Sequence, residues 1–143
     1  RRKLQVPIAA DESLRLDANP MMVRQLEAAD VAVLKVAPLG GISAAYELYK
    51  RLEMPAVVSS ALDTSVGIYA GLRLASALAE LPYACGLATG SLLQEDVIDP
   101  PFRPVNGHLP LAQAVPERIP AASEPLRERW CQRLVRLSTL LAS

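Results

Sequence analysis

Val31-Ala32-Val33-Leu34-Lys35-Val36-Ala37-Pro38-Leu39-Gly40-Gly41 is the stretch that decides how the rest of the chain reads. A run of aliphatic and β-branched residues forms a strand buried on both faces. One lysine interrupts it, and a proline and a glycine pair turn the chain just beyond. Three further apolar runs end the same way, in small or polar residues. They are Val6–Ala10 before Asp11, Ala56–Val58 before Ser59, and a weaker run, Leu81–Cys85, before Gly86. Asp11 to Lys35 is 24 residues, Lys35 to Ser59 is 24, and Ser59 to Gly86 is 27. A repeat of roughly 25 residues is what one strand, one helix and two loops require.

Helical patterns fill the intervals. Pro20 to Ala29 opens with Asn19 at a capping position and Pro20 at the first helical position. Ile42 to Leu52 follows Gly40-Gly41, with Ser43 a candidate cap. Ser65 to Ala79 is apolar on most faces, which predicts a well-buried helix. A short helix is expected over Ser91 to Val97. Strands that alternate with helices imply an α/β fold with a parallel sheet under a helical cover. Four such units make either half of a (β/α)8 barrel or a small open sheet. A whole barrel needs about 250 residues, more than the 143 present. The open-sheet alternative has no motif behind it, since the chain lacks GxGxxG, a P-loop and an acidic residue at a dinucleotide-binding position.

The texture changes after residue 98. Asp99-Pro100-Pro101-Phe102-Arg103-Pro104 is incompatible with regular helix or an interior strand. Asn106-Gly107 predicts a tight turn, flanked by Val105 and His108–Leu111 as a short hairpin. Leu126, Trp130, Leu134, Leu137 and Leu141 then recur at helical spacing, with Ser123 as a possible cap. The expected division is therefore residues 1–97 as barrel half and residues 98–143 as a Pro-rich turn region. The helix ending that region is expected to pack back on the barrel or on a capping domain.

Composition narrows the function classes. Lys and Arg total 15, as do Asp and Glu, so the formal net charge is zero. Such a chain has no broad field to draw in nucleic acid or an anionic membrane. Its apolar stretches are short or broken by Arg73 and Glu80, which argues against a membrane span. Cys85 and Cys131 have no metal-ligand or redox spacing, so free thiols in a reducing cytoplasm are expected. The chain opens Arg1-Arg2-Lys3-Leu4, without Met, and runs at once into a strand pattern. A longer natural chain is the expectation.

Active sites of α/β barrels lie at the C-terminal ends of the strands, so the residues there carry the functional question. Asp11 is suited to bind a divalent cation such as Mg²⁺, which prefers oxygen ligands, or to cap the following turn together with Glu12 and Ser13. Lys35 shares a strand face with Val31, Val33 and Ala37. A cation there is costly unless paired. It reads either as an acid/base group facing a developing anion or as a salt-bridged lysine at a strand end. Ser59 and Ser60 are suited to hydrogen-bond a substrate carboxylate or to satisfy backbone at the turn. Asp63 reads as a helix cap rather than a catalyst. Gly86 and Gly90 allow close approach of backbone to a ligand, or simply turn the chain. His108, the single histidine, sits among turn residues and is not expected to act in catalysis.

Read together, these segments form a recognisable series. Pro7-Ile8-Ala9-Ala10-Asp11-Glu12-Ser13 resembles the enolase-superfamily segment that carries the third metal carboxylate. Val33 to Gly41 resembles the next strand, whose lysine lies opposite the catalytic K-x-K pair. Ser59 to Ile68 and Ala84 to Gly90 look like the following strand ends in o-succinylbenzoate synthases. The resemblance covers residues 4–97, with a weaker likeness in the tail. It implies a cytoplasmic Mg²⁺-dependent lyase of menaquinone biosynthesis. Such an enzyme removes a proton beside a carboxylate, forms an enediolate that Mg²⁺ stabilises, and loses hydroxide as water. By resemblance Asp11 is a metal ligand, Lys35 the catalytic lysine, and Ser59, Ser60 and Gly86 line the pocket of a small carboxylate substrate. The K-x-K motif, two metal carboxylates, the first four strands and most of the capping domain have no counterpart here. The isolated chain is therefore expected to be inactive. Two alternatives stay open: a racemase, epimerase or cycloisomerase of the same superfamily, and a non-catalytic half-barrel that self-associates through open sheet edges.

Overall fold

A computed structural model describes residues 1–16, 19–111 and 121–141. Its centre is a three-stranded parallel sheet of β1 (Ala9–Ala10), β2 (Val31–Lys35) and β3 (Ala56–Ser59), in the order β1-β2-β3. A single parallel bridge from Ser59 to Gly86 adds a fourth position beside β3. Each successive strand is added on the same side of the one before. That order is an arc of an α/β barrel, as the strand repeat predicts.

The helices between the strands are α1 (Met22–Gln25), α2 (Ile42–Leu52) and α3 (Ser65–Ala77). Gly40 and Gly41, at φ of 89° and 114°, turn β2 into α2 through backbone geometry that side chains rarely adopt. Gly41 itself holds the cap position, so Ser43 is not the cap. The helix stops at Glu53, which takes the left-handed conformation and donates its N–H to the Tyr49 carbonyl. Arg24 of α1 then donates to the Arg51 and Leu52 carbonyls, satisfying the last carbonyls of α2.

The sheet has two unlike faces, because side chains alternate along a strand. Ala10, Ala32, Leu34, Ala56 and Val58 point to the helices and are buried. They pack with Ala45, Leu48 and Leu52 of α2 and Ile68, Leu74 and Ala75 of α3 into one core. Val33, Lys35, Val57 and Ser59 alternate with these and are only half-buried. Gly71 is part of the fit. A Cβ there would lie 2.6 Å from Leu87 Cδ2, so the bare backbone of α3 admits the leucine that follows the fourth strand position.

Some elements are shorter than their patterns. The first strand shrinks from Val6–Ala10 to two residues: Pro7 has no N–H, and the Ile8 N–H goes to the Asp30 carboxylate instead of a strand. The helix expected over Pro20 to Ala29 keeps four residues and ends before Glu27, which has φ 49°. Asn19 does accept the Met21 N–H, as a capping side chain would. The weak run Leu81–Cys85 contributes only the Gly86 bridge, since Pro82 breaks it and Leu81 and Tyr83 are exposed. The helix expected over Ser91 to Val97 is a 3-10 turn at Thr89–Leu92.

In the tail, Val105 and His108 form the expected antiparallel bridge around Asn106 and Gly107, both at positive φ. Helix α4 (Glu124–Leu141) forms, with the Ser123 carbonyl accepting from the Arg127 N–H. Its apolar members Leu126, Trp130, Leu134 and Leu137 are all exposed. The 112–120 part of the tail and the side chain of Leu141 lie outside the described residues.

The two faces differ in what they contribute to stability. Leu34→Ala on the helix side is expected to cost about 2–5 kcal/mol in urea unfolding, the usual range for emptying a leucine site in a core. Val33→Ala on the opposite face should cost clearly less. Equal losses would contradict the assignment of faces.

Candidate active site at the strand ends

Register brings the sequence-selected residues together. In the parallel ladder Lys35 lies opposite Ser59, and Ser59 bridges to Gly86. Ala9 pairs with Val31 and Ala10 with Ala32, so Asp11 follows on level with Val33 and on its face. Asp11, Lys35, Ser59 and Gly86 thus occupy the C-terminal ends of four adjacent strand positions on the face away from the helices.

At the centre is an ion pair. Lys35 Nζ lies 2.5 Å from Asp11 Oδ2, with the lysine side chain 16% exposed and the aspartate 29%. Asp11 sits at the start of the 3-10 turn Glu12–Leu14 but makes no side-chain cap hydrogen bond to it. The capping reading of Asp11 therefore gives way to the pairing one. Its other oxygen, Oδ1, is buried and has no hydrogen-bond partner among the described residues. An orphaned carboxylate oxygen in a buried position is unusual in a folded protein. Glu12 does not share this role. Its carboxylate is bound by Arg15 at 3.1 Å, and that hydrogen bond holds it below the usual carboxylate range.

The two serines point differently. Ser59 lies on the Lys35 face, and its hydroxyl lies 3.3 Å from the Gly86 carbonyl. A Cβ at Gly86 would come within 2.7 Å of that hydroxyl oxygen, so glycine is what lets the fourth strand position close up on β3. Ser60, of opposite parity, is buried, with its hydroxyl 2.5 Å from Thr89 Oγ1 and 3.3 Å from the Gly86 carbonyl. Its hydroxyl is already engaged by the protein. His108 lies in the Val105–His108 turn, where it bridges Val105.

Sequence reasoning missed Asp96. Its carboxylate accepts from the Ser65 N–H at 2.9 Å, the Ser65 hydroxyl at 2.8 Å, and the N–H groups of Val97 and Ile98. It caps α3 across 31 residues of chain, where Thr64 makes no side-chain cap bond. Asp63, the expected cap, instead accepts from the Ala61 N–H. Partial burial pushes the Asp96 carboxyl up. The Ser65 hydroxyl and the backbone N–H groups outweigh it and hold the group below the usual range. Nothing local in the sequence pairs positions so far apart.

Comparison with known proteins gives the family of the chain. Residues 1–117 match the family described as enolase C-terminal domain-like. The o-succinylbenzoate synthase of Mycobacterium tuberculosis H37Rv is 51% identical over 145 residues, covering 99% of this chain and 44% of that protein. The o-succinylbenzoate synthase of Thermobifida fusca is 55% identical over 135 residues, covering 94% of this chain and 43% of that protein. The chain thus spans less than half the length of these relatives. Among solved structures, the muconate lactonizing enzyme of Pseudomonas fluorescens has a TM-score of 0.70 at 27% identity, covering 85% of this chain and 34% of that one. The N-succinyl Arg/Lys racemase of Bacillus cereus has a TM-score of 0.59 at 26% identity, covering 67% and 27% respectively.

Acid titration tests the Asp96 cap. A carboxyl with a folded-state value below its unfolded one adds stability that is fully present above the unfolded value, about 4, and lost as pH falls through the folded value. The stability gap between wild type and Asp96→Asn should therefore be widest above about pH 4 and narrow below it. Urea unfolding across that range reads the gap. A constant gap would refute the cap as a charged one.

Proposed function

The chain belongs to the enolase C-terminal domain-like family, and on that premise we propose that it is the C-terminal half of an o-succinylbenzoate synthase. In this reading the whole enzyme is a cytoplasmic lyase of menaquinone biosynthesis. It takes a proton from the carbon beside a carboxylate and expels a hydroxyl group as water. The observation that carries the proposal is the Asp11–Lys35 pair, with one Asp11 oxygen engaged and the other buried without a partner. The 51% and 55% identities to the named synthases support the lyase over the racemase or cycloisomerase alternatives.

A divalent cation, Mg²⁺ in this reading, fits Asp11 as one ligand. Asp11 Oδ1 is a hard oxygen acceptor with no hydrogen-bond partner among the described residues. It is not a complete site, for no cluster of three acidic, histidine or cysteine side chains is present among the described residues. The remaining ligands would come from the rest of the enzyme. When bound, the cation would draw negative charge off the substrate carboxylate and so make the neighbouring proton easier to remove.

Lys35 has the complementary role. It is held by Asp11 in a half-dry strand end, so its ammonium presents a fixed positive charge to an anion forming on that face. As a free amine it would serve as an acid/base group at the same point. Ser59 and Gly86 border the space beside it, and Ser60 shapes that border through its backbone. The substrate's carboxylate arm would lie along this edge. Residues 1–97 form the barrel half, and residues 98–143 return toward the barrel or a capping domain. The apolar stripe of α4, exposed among the described residues, offers a face for such packing.

The test is turnover by the full-length enzyme that contains this chain. Lys35→Ala is expected to lower kcat for dehydration of the hydroxylated cyclohexadiene carboxylate by about 10²–10⁴-fold, the usual contribution of a positioned acid/base group. Asp11→Asn should do at least as much and weaken the metal dependence. Faster racemisation of N-acylated amino acids than dehydration would reverse the choice within the family. Wild-type turnover by Lys35→Ala would remove the assignment of that lysine.

A further inference from the structure

Two side-chain clasps join the same pair of segments, and the reaction chemistry uses neither. One is the contact between the Ser60 and Thr89 hydroxyls at 2.5 Å. The other is the bond set from Ser65 to Asp96, extended by the Phe102 N–H donating to the Ser65 hydroxyl at 2.8 Å. Ser60 and Ser65 bracket the loop that leaves β3. Thr89 and Asp96 bracket the chain that leaves Gly86. Between the clasps and the sheet lie the backbone bonds from Ser60 N–H to the Gly86 carbonyl and from Gly86 N–H to the Val58 carbonyl. Ser65 is fully buried, so the Asp96 clasp is anchored in the core rather than on the surface. The packing of Phe102 near Tyr69, with ring centroids 6.4 Å apart, holds the far end of the segment against α3.

Neither clasp is needed to form the strands, whose ladder bonds are backbone. What they fix is the spacing of two loops at the strand ends. Fixed hydrogen-bonded supports are what keep a binding edge within the fraction of an ångström that positioning requires. We propose that Asp96 is a positioning residue that, by clasping the first turn of α3, holds the β3 loop against the segment after Gly86 and so sets the Ser59–Gly86 edge beside Lys35. This rests on the reading of the Lys35 face as the substrate side.

The experiment uses the full-length enzyme with Asp96→Asn and, separately, Thr89→Val, which breaks the other clasp and leaves the α3 cap intact. Both variants should raise KM for the cyclohexadiene carboxylate by about tenfold or more, with kcat within about threefold and its pH profile unmoved. That split is expected because Lys35 lies on β2 and Asp11 just past β1, strands that neither clasp touches. Amide exchange at Ser60 and Gly86 should quicken by about tenfold, reporting the loosened edge without reference to turnover. A lower melting temperature with KM and both exchange rates unchanged would make Asp96 a helix cap and nothing more, and would overturn the proposal. Should wild-type enzyme not dehydrate the substrate, the functional reading fails, and exchange at Ser60 and Gly86 alone decides the clasp. Should Asp96→Asn not fold, Ser65→Ala, which removes the hydroxyl arm of the Asp96 clasp and keeps the backbone one, decides it by the same measurements.

Discussion

In-register pairing of parallel strands is the constraint on which the molecule depends. With Ala32 opposite Ala56 and Lys35 opposite Ser59, every inward side chain on one strand has an inward neighbour on the next. A slip of one residue would bring Lys35 into the core and Leu34 out of it. The dry face against α2 and α3 makes such a slip prohibitive, because Leu34, Ala56 and Val58 are completely buried there. Core packing on one side of the sheet thereby locates the ion pair on the other. The site inherits its geometry from apolar residues that never touch it.

The central units were legible because their signals are local and physical. The Val31–Lys35 run, the Gly40-Gly41 turn and the Ile42–Leu52 helix coincide with β2 and α2. The strand ends selected by spacing alone, Asp11, Lys35, Ser59 and Gly86, come together on one face. The flanking units were less legible, since proline and competing side chains shorten them. Ile8 loses its strand role to the Asp30 carboxylate, a bond no local pattern announces. Asp96 was invisible for the same reason. Its partner is distant in sequence, and Asp63, near the helix start, looked like the natural cap.

The serine pair shows how far side-chain parity refines a sequence reading. Adjacent residues of identical chemistry meet opposite surroundings, Ser59 toward Lys35 and Ser60 toward Thr89. Composition treats them as one motif, whereas the pleat treats them as two. The exposed apolar stripe of α4 is a different case. There the pattern predicts the helix correctly, and its stripe stays exposed among the described residues.

The contact of Gly71 with Leu87 carries an evolutionary consequence. A methyl group at position 71 would overlap a leucine methyl at position 87, so the two positions share one volume. Alanine at 71 pushes the Leu87 side chain aside unless 87 has already become smaller, whereas a smaller residue at 87 alone leaves a void instead of a clash. The two sites are thus epistatic: which substitution is tolerated at one depends on the history of the other. Divergence in this region of the fold should favour paired replacements, a smaller side chain at 87 accompanying a larger one at 71.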